Sequence, residues 1–322
     1  MMQQMLLGLG PSGINIDDVF SVDTYTGNGG TSLSINNGID LSGEGGLVWI
    51  KTRSANSDHY AFDTERGSNK SILPNDTASQ STHLSNDGLT SFNSNGFTVG
   101  GVPPAVNYTQ NYVAWTFRKA PEFFDIVTYT GNGTAGRTIS HNLGAVPGAI
   151  WVKVLSAGDS WGCYHTSMGN TKALWLNDYT PGTTNGAPWN NTSPTSSVFT
   201  VGSDNQFNGS GRTYVAYLFA EDTDNLIKCG SYTGNGSASQ TITTGFDVQW
   251  LITKPDTTYG DWVIWDTTRG MTTSSSSRLY ANRNYDEDTG SNGAATTTNG
   301  FIADNYYNVS GRSYTYIAIA AP

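Results

Sequence analysis

The pentapeptide YTGNG occupies residues 25–29, 129–133 and 232–236 of the 322-residue chain. Its tyrosines lie 104 and 103 residues apart (129 − 25 and 232 − 129). This period exceeds the repeat units of solenoids and propeller blades, roughly 20 to 50 residues, and falls within the usual size of an independently folded domain. The spacing therefore predicts a tandem triplet of similar units.

Other positions repeat in step with YTGNG. An apolar run before a lysine (VWIK, IWVK, LITK), a turn residue four positions before a glycine, and a tyrosine in the terminal strand recur in every copy. These columns are Lys51, Lys153 and Lys254; Asp63, His165 and Asp266; and Tyr112, Tyr214 and Tyr314. Because the columns keep nearly the same spacing, the repetition extends through the whole of each copy.

The repeats predict three domains, at residues 14–120, 121–221 and 222–322, preceded by an N-terminal segment at 1–13. The boundary segments are the short polar strings RKAPE and AEDTDN. Linkers this short do not let neighbouring units tumble freely. We therefore expect adjacent copies to pack against each other.

The composition is typical of an all-β protein. Gly, Ser, Thr and Asn are abundant, aromatic residues make up 12% of the chain, and no segment sustains the apolar period of about 3.6 residues of a helix. The formal net charge of −10 argues against nucleic acid or an anionic membrane as partner, because both are polyanionic. The start MMQQMLLGLG lacks the basic region of a secretion signal. We expect assembly in a cytosol, with Cys163 and Cys229 as free buried thiols.

The second copy indicates how one unit is built. In FDIVTYTGNG (residues 124–133), period-two alternation ends at a Gly/Asn cluster, which predicts a strand that enters a tight hairpin. In PGAIWVKV (147–154), alternation predicts one buried face and an opposite face that carries Trp151 and Lys153. We expect the last strand of each copy to pair with its first. The sequence thus predicts an all-β fold of three tandem antiparallel β-sandwich domains, jelly-roll-like and related by the internal repeat.

The repeated polar columns do not indicate catalysis. We interpret Asp63, His165 and Asp266 as caps of the turns that precede their glycines. The lysine column is expected on a solvated strand face or paired with the acidic column. The glutamates do not recur at equivalent positions in all three copies, and the histidines and cysteines lack the spacing of a zinc site. We expect no enzyme activity, no metal and no cofactor.

A long segment of the second copy, which contains Gly and Pro, holds the candidates for ligand binding. Aromatic rings and amide groups suit sugars, which they bind by stacking and hydrogen bonding. The candidate glycan-binding residues are Trp175, Tyr179, Trp189 and Asn190. The alternative is that these side chains serve the β core and its turns, which use the same residue types.

Several longer motifs resemble one family. Besides YTGNG they are DDVFS (residues 17–21), NNGIDL (36–41), GGLVWIK (45–51), DTERG (63–67), HNLGAVPG (141–148) and YVAYLFA (214–220). Together they resemble a tandem-repeat family of tailed bacteriophages, especially marine phages, over nearly all of residues 14–322. Members of that family are described mostly as virion structural, tail fibre-like or of unknown function. The first copy departs from the pattern, because it lacks the SGR string found at residues 210–212 and 310–312.

The resemblance implies a virion structural protein, and we expect a tail fibre or tail-associated adhesin that contacts a host surface polysaccharide. The alternative is a capsid decoration or tail accessory protein with a purely structural role. The expected partners are other virion subunits, and the analogy with phage fibres favours a homo-oligomer, such as a trimer. The expected location is the virion, after assembly in the host cytoplasm, without membrane insertion.

The N-terminal segment is expected to dock the protein onto a neighbouring virion subunit. Its apolar side chains suit a packing peg, and the docking residues are Met1, Met2, Met5, Leu6 and Leu7. The alternative is a terminus without ordered structure.

Overall fold

A computed structural model describes residues 13–101, 103–184, 187–272, 276–290, 293–304 and 306–322. Over these ranges the chain forms antiparallel strands joined by turns and by four short helices, which confirms the all-β part of the prediction. The α-helices are Leu41–Glu44 (α1) and Asn205–Asn208 (α2), and the 3-10 helices are Ile16–Asp18 and Thr166–Met168. No helix within these ranges has the length and hydropathy needed to cross a membrane. The predicted docking residues, from Met1 to Leu7, lie outside the described residues.

The first repeat contains a larger sheet that faces a smaller one. Its strands are β1 (Phe20–Thr26), β2 (Ser32–Asn36), β3 (Gly46–Thr52), β4 (Tyr60–Asp63), β5 (Lys70–Ser71), β6 (Ser81–Thr82), β7 (Leu89–Asn93), β8 (Gly96–Gly100) and β9 (Asn111–Arg118). The larger sheet has the order β1-β9-β3-β4, the smaller has the order β2-β8-β7, and β5 pairs with β6. Between the two sheets, Val48 and Phe62 of the larger sheet share one apolar cluster with Ile35 and Phe97 of the smaller sheet.

The second repeat keeps the larger sheet but has a smaller sheet of only two strands. Its strands are β10 (Phe124–Thr130), β11 (Arg137–Ser140), β12 (Pro147–Val154), β13 (Gly162–His165), β14 (Leu174–Trp175), β15 (Val198–Val201) and β16 (Thr213–Ala220). The larger sheet has the order β10-β16-β12-β13-β14, and β11 pairs with β15.

The third repeat has the full pattern again. Its strands are β17 (Asp222–Thr223), β18 (Ile227–Thr233), β19 (Ser239–Thr243), β20 (Val248–Pro255), β21 (Val263–Asp266), β22 (Leu279–Tyr280), β23 (Ala294–Thr297), β24 (Gly300–Asp304) and β25 (Ser313–Ala320). The sheets have the orders β17-β18-β25-β20-β21-β22 and β19-β24-β23. In all three repeats the last strand pairs with the first long strand, as predicted.

The YTGNG segments do not form the predicted hairpins. They lead instead from the larger sheet to the smaller one, because β1 and β2, β10 and β11, and β18 and β19 belong to different sheets. In the first copy the Asn28 N–H donates to Oδ1 of the buried Asn107, at 3.0 Å. A Cβ at Gly27 would lie 1.9 Å from the Tyr108 carbonyl oxygen, so this crossing requires glycine.

The central strands β3, β12 and β20 are buried on both faces, which corrects the prediction of one exposed face. One face of each larger sheet lies toward the smaller sheet of its own repeat. The other face meets the other repeats: the ring centroids of Trp49 and Trp151 lie 5.9 Å apart, and Phe117 packs against Phe219 and Trp250 at 5.8 and 5.6 Å. Aromatic residues of the central and terminal strands therefore form a core shared by the three repeats.

Equivalent hydrogen bonds join the repeats into a closed ring. In each, the ring nitrogen of the residue four positions before Asp63, His165 or Asp266 donates to a backbone carbonyl of a neighbouring repeat. The three contacts are Trp161 Nε1 to Leu73 O (2.8 Å), Trp262 Nε1 to Trp175 O (2.8 Å) and His59 Nε2 to Tyr280 O (3.1 Å). The expected packing of adjacent copies is confirmed, and the first repeat also contacts the third.

Candidate functional site

The column of Asp63, His165 and Asp266 caps its turns, as predicted, and also lies at the seams between repeats. Asp63 Oδ1 accepts the N–H of Arg66 at 2.9 Å, and Asp266 Oδ1 accepts the N–H of Arg269 at the same distance. His165 instead accepts the N–H of Ser167. All three column residues are buried, so they are not placed to meet a substrate.

This column has Asp in the first and third repeats and His in the second, because the side chain that faces it across the seam differs. Tyr217 of the second repeat donates its hydroxyl to Asp63 at 2.6 Å, and Trp115 of the first donates Nε1–H to Asp266 at 2.9 Å. The equivalent residue opposite His165 is Ile317, whose side chain has no donor. His165 therefore bonds from Nε2 to the carbonyl oxygen of Tyr316, at 3.0 Å. Burial lowers the pKa of His165 to about 4, which keeps the ring neutral.

The lysine column is neither solvated nor paired with the acidic column, contrary to prediction. Lys51, Lys153 and Lys254 are fully buried, and each ammonium donates to backbone carbonyls. Burial lowers the pKa of each lysine to about 8. Lys153 reaches Thr77 O of the first repeat at 2.9 Å, so this lysine holds a loop of the neighbouring repeat.

The four predicted glycan-binding residues do not form one surface. Trp189 is 1% exposed, and its Nε1–H donates to the carbonyl oxygen of Lys172, so its ring has no face free for a sugar. Trp175 is half-buried beside Phe207, and Asn190 is half-buried in a turn with positive φ. Only Tyr179 is well exposed, at 45%.

Trp189 takes the place of the buried Leu89, the first residue of β7, because Pro188 O accepts from the Gly202 N–H as Gly88 O accepts from the Gly100 N–H. The first and third repeats have β7 and β23 at the edge of the smaller sheet, whereas the corresponding part of the second repeat is a series of turns. The Trp189 ring packs against Tyr164 and Phe207, at 5.6 and 5.0 Å between ring centroids. Its burial therefore has a structural cause.

An open cleft rich in tyrosine lies in the third repeat, beside its seam with the second. Its volume is about 470 Å³, within the range of roughly 300–1,000 Å³ typical of small-molecule sites. We call it the tyrosine cleft, and the residues that define it are Tyr259, Tyr280, Tyr306, Tyr307, Tyr314 and Arg312. Tyr259 and Tyr306 are 65% and 68% exposed, whereas Tyr307 and Tyr314 are buried. Exposed rings therefore stand above a buried aromatic floor.

Backbone and ring contacts fix the shape of the cleft. Asp304 Oδ1 accepts the N–H of Tyr306 at 3.1 Å, and the Tyr306 and Tyr307 ring centroids lie 5.3 Å apart. Tyr314 is held from below by the Tyr232 ring, stacked at 4.9 Å. The cleft is thus built on the terminal strand and on the loop that precedes it.

The predicted residue Tyr179 extends this aromatic surface across the seam. Its ring centroid lies 5.5 Å from that of Tyr259, and the Arg283 guanidinium lies 5.2 Å above its ring. Arg283 in turn donates Nε–H to Asp261 at 2.8 Å, so the acid on the cleft wall is neutralised. The ring centroid of the exposed Tyr285 lies 6.0 Å from the same guanidinium.

Sequence reasoning missed Tyr259, Tyr306 and Arg312. The tyrosines were detectable as departures from the repeat, because Tyr306 stands where the second copy has Gln206 and the first has Ala105. Positions with the same residue type in all three copies belong to the shared scaffold. Positions at which one copy differs identify features of that copy alone. Among the described residues, no group of three or more His, Cys, Asp or Glu is placed to hold a metal ion.

Residues 16–322 match the family described as Domain of unknown function (DUF7483), and the chain belongs to that family. A comparison with curated proteins finds no match.

Proposed function

We propose that this protein is a bacteriophage virion adhesin, of the tail fibre or tail-associated kind, that binds host surface glycans through the tyrosine cleft. The observation that carries the glycan part is the pair of exposed rings, Tyr259 and Tyr306, above a cleft of about 470 Å³. The virion part rests on the resemblance of the sequence motifs to those of phage repeat proteins.

The chemistry of the cleft suits carbohydrate better than an apolar ligand. Tyrosine offers an apolar ring for the C–H face of a sugar and a hydroxyl for its polar edge. Both the Tyr306 ring and the Arg312 side chain are exposed, so a ligand reaches them without a change in the fold. The adjacent Tyr179 and Tyr285 rings lengthen the surface, which favours an oligosaccharide over a single sugar.

We further propose that residues 14–120, 121–221 and 222–322 are three jelly-roll-like sandwich domains that fold as one unit. The two facing sheets of the first repeat and the seam hydrogen bonds support this arrangement. In denaturant we expect a single cooperative unfolding transition, because the apolar core continues from one repeat to the next. Separate transitions would instead mean that the repeats fold independently.

The test of glycan binding is the adsorption of labelled protein to host cells, with and without periodate oxidation of the surface glycans. We expect saturable binding that periodate abolishes. The Tyr259→Ala/Tyr306→Ala double variant should lose binding, because it removes both exposed rings. The control is Tyr108→Ala, at a surface tyrosine of the first repeat that is 43% exposed.

Three results would count against the proposal. Binding that resists periodate would exclude a glycan receptor, and equal loss in the Tyr108→Ala control would exclude the cleft. An absence of binding by protein with an intact thermal transition would favour the alternative, a capsid decoration or tail accessory protein with a structural role.

A further inference from the structure

The charges around the tyrosine cleft differ from those at the equivalent place of the second repeat. Arg212 and Arg312 stand at equivalent positions, each two residues before the terminal-strand tyrosine. Arg212 has an acid opposite, because its Nη1 lies 3.7 Å from Oδ2 of Asp159. The position equivalent to Asp159 in the third repeat is Gly260, which also lines the cleft.

Arg312 is consequently an exposed cation in the wall of the cleft, without an ion pair within the described ranges. Asp256, next to the cleft residue Pro255, is buried, and its Oδ2 accepts from Ser313 Oγ at 3.0 Å, whereas its Oδ1 has no hydrogen-bond partner among the described residues. Burial raises the pKa of Asp256. Two other acids nearby are engaged. Asp261 accepts from Arg283 Nε at 2.8 Å and from Asn282 Nδ2 at 2.6 Å, and Asp304 accepts the backbone N–H of Tyr306. An anion beside Arg312 would therefore meet acids whose charges are paired or hydrogen-bonded.

We propose that the ligand of the tyrosine cleft is an acidic sugar, whose carboxylate pairs with Arg312 while its ring stacks on Tyr306 or Tyr259. This inference rests on the proposed function and adds the chemical class of the glycan. The planar guanidinium suits a carboxylate, because its N–H groups match the two oxygens in a bidentate pair. The net charge of −10 disfavours anions at long range. An arginine in an open cleft, without an ion pair among the described residues, attracts anions locally.

The residue pattern in the second repeat sharpens the assignment. There the side chain of Gln206, which replaces Tyr306, donates from Nε2 to the carbonyl oxygen of Ser160 at 3.0 Å. At this place the second repeat therefore lacks both the exposed tyrosine and an arginine without an ion pair. Their joint presence in the third repeat is the reason to assign stacking and charge recognition to one ligand.

The test is calorimetric titration of the full chain with four acidic oligosaccharides: oligomers of glucuronate, galacturonate, mannuronate and sialic acid. Each is paired with the same oligomer after reduction of its carboxyl groups, and a sulfated galactose oligomer tests whether another anion suffices. We expect at least one acidic oligomer to bind about tenfold or more tightly than its reduced partner, the effect of one charge-assisted hydrogen bond. The affinity should fall as salt is added.

Variants at the two equivalent arginines provide the control. Arg312→Gln should remove the preference for the acidic form, and Arg312→Lys should restore only part of it, because lysine lacks the bidentate geometry. Arg212→Gln should leave binding unchanged.

The inference is overturned if no acidic oligomer binds more tightly than its reduced form, or if Arg312→Gln keeps the preference. Periodate-sensitive adsorption to host cells would then still support the glycan-binding function, with a neutral ligand. Preference for the sulfated oligomer over every carboxylated one would assign the site to sulfate.

Discussion

The second and third repeats use one scaffold to present two different surfaces. Tyr214 and Tyr314 each stack on the tyrosine of a YTGNG string, with ring centroids 4.9 Å apart. Beside this stack the second repeat has Gln206, which bonds back to Ser160, whereas the third has the exposed Tyr306 above an open cleft. The shared residues hold the sheets together, and the segment before the last strand decides what each repeat shows to solvent.

The aromatic residues of the two repeats follow the same division. The second repeat lacks the third strand of its smaller sheet and buries Trp189 at that place. The third repeat has the buried Ala294 of β23 at the equivalent position, and its exposed tyrosines line the cleft instead. The same position is therefore buried in both repeats, but only the second repeat has an aromatic residue there.

The largest effect should come from Trp189→Ala, which removes a buried aromatic ring from the second repeat. A Trp or Phe to Ala change in a core costs about 3–5 kcal/mol, because it leaves a cavity. We expect a loss of that size in the free energy of unfolding, measured by guanidinium denaturation. Tyr306→Ala, at an exposed position, should change it by less than about 0.5 kcal/mol. Similar losses in both variants would refute the assignment of Trp189 to the core and of Tyr306 to the surface.

The buried asparagines test whether the two scaffolds are equivalent. Asn208 Nδ2 donates to Oδ1 of Asn132 and to the carbonyl oxygen of Thr134, and Asn308 Nδ2 makes the corresponding bonds to Oδ1 of Asn235 and the carbonyl oxygen of Ser237. Asn208→Ala and Asn308→Ala should each lower the free energy of unfolding by roughly 2–3 kcal/mol, because buried partners lose their hydrogen bonds. Ser210→Ala, at an exposed neighbour, is the control. Clearly unequal losses would mean that the scaffolds differ.

The comparison can also be reversed by building a cleft in the second repeat. The Asp159→Gly/Gln206→Tyr variant frees Arg212 and supplies the missing ring. Titration with the best acidic oligosaccharide should then show about one additional ligand per chain, with weaker affinity than the original site, because Gly158 stands where the third repeat has Tyr259. An unchanged stoichiometry in a folded variant would show that more than these two positions define the cleft.

The dependence of stability on pH is common to both repeats. The pKa of Lys153 and of Lys254 is about 8 in the folded chain, below the usual 10.5. Between these pH values the unfolded chain holds protons that the folded chain has released, so stability should rise with pH from about 8 to about 10. Above that, the raised pKa of the buried Tyr129 works in the opposite direction, since only the unfolded tyrosine ionises.

Thermal melts across this pH range measure the effect. The rise should be smaller in Lys153→Met and in Lys254→Met than in the parent chain, because each variant removes one buried titrating group. A rise that is the same in all three proteins would show that other groups cause it.

The departures at the central strands and at the lysine column share one cause, which is that the larger sheets are buried on both faces. Alternation in PGAIWVKV indicates a strand, but it assigns Lys153 to a solvated face because the sequence does not contain the neighbour that covers it. Trp161 likewise meets a neighbouring repeat, because its Nε1–H donates to the carbonyl oxygen of Leu73. Tyr259 and Tyr306 were overlooked because they are far apart along the chain and come together only in the cleft.

The sequence by itself determined that the chain is a threefold repeat of β strands, that its last strands pair with its first, and that its two cysteines are free and buried. Those features follow from local alternation and from spacing, which the chain carries along its length. Only the tertiary structure decided that the repeats close into a ring, that Trp189 is buried in the core and that tyrosines of the third repeat form a cleft. These depend on contacts between residues far apart in sequence, and burial against a neighbouring repeat leaves no period in the chain that could predict it.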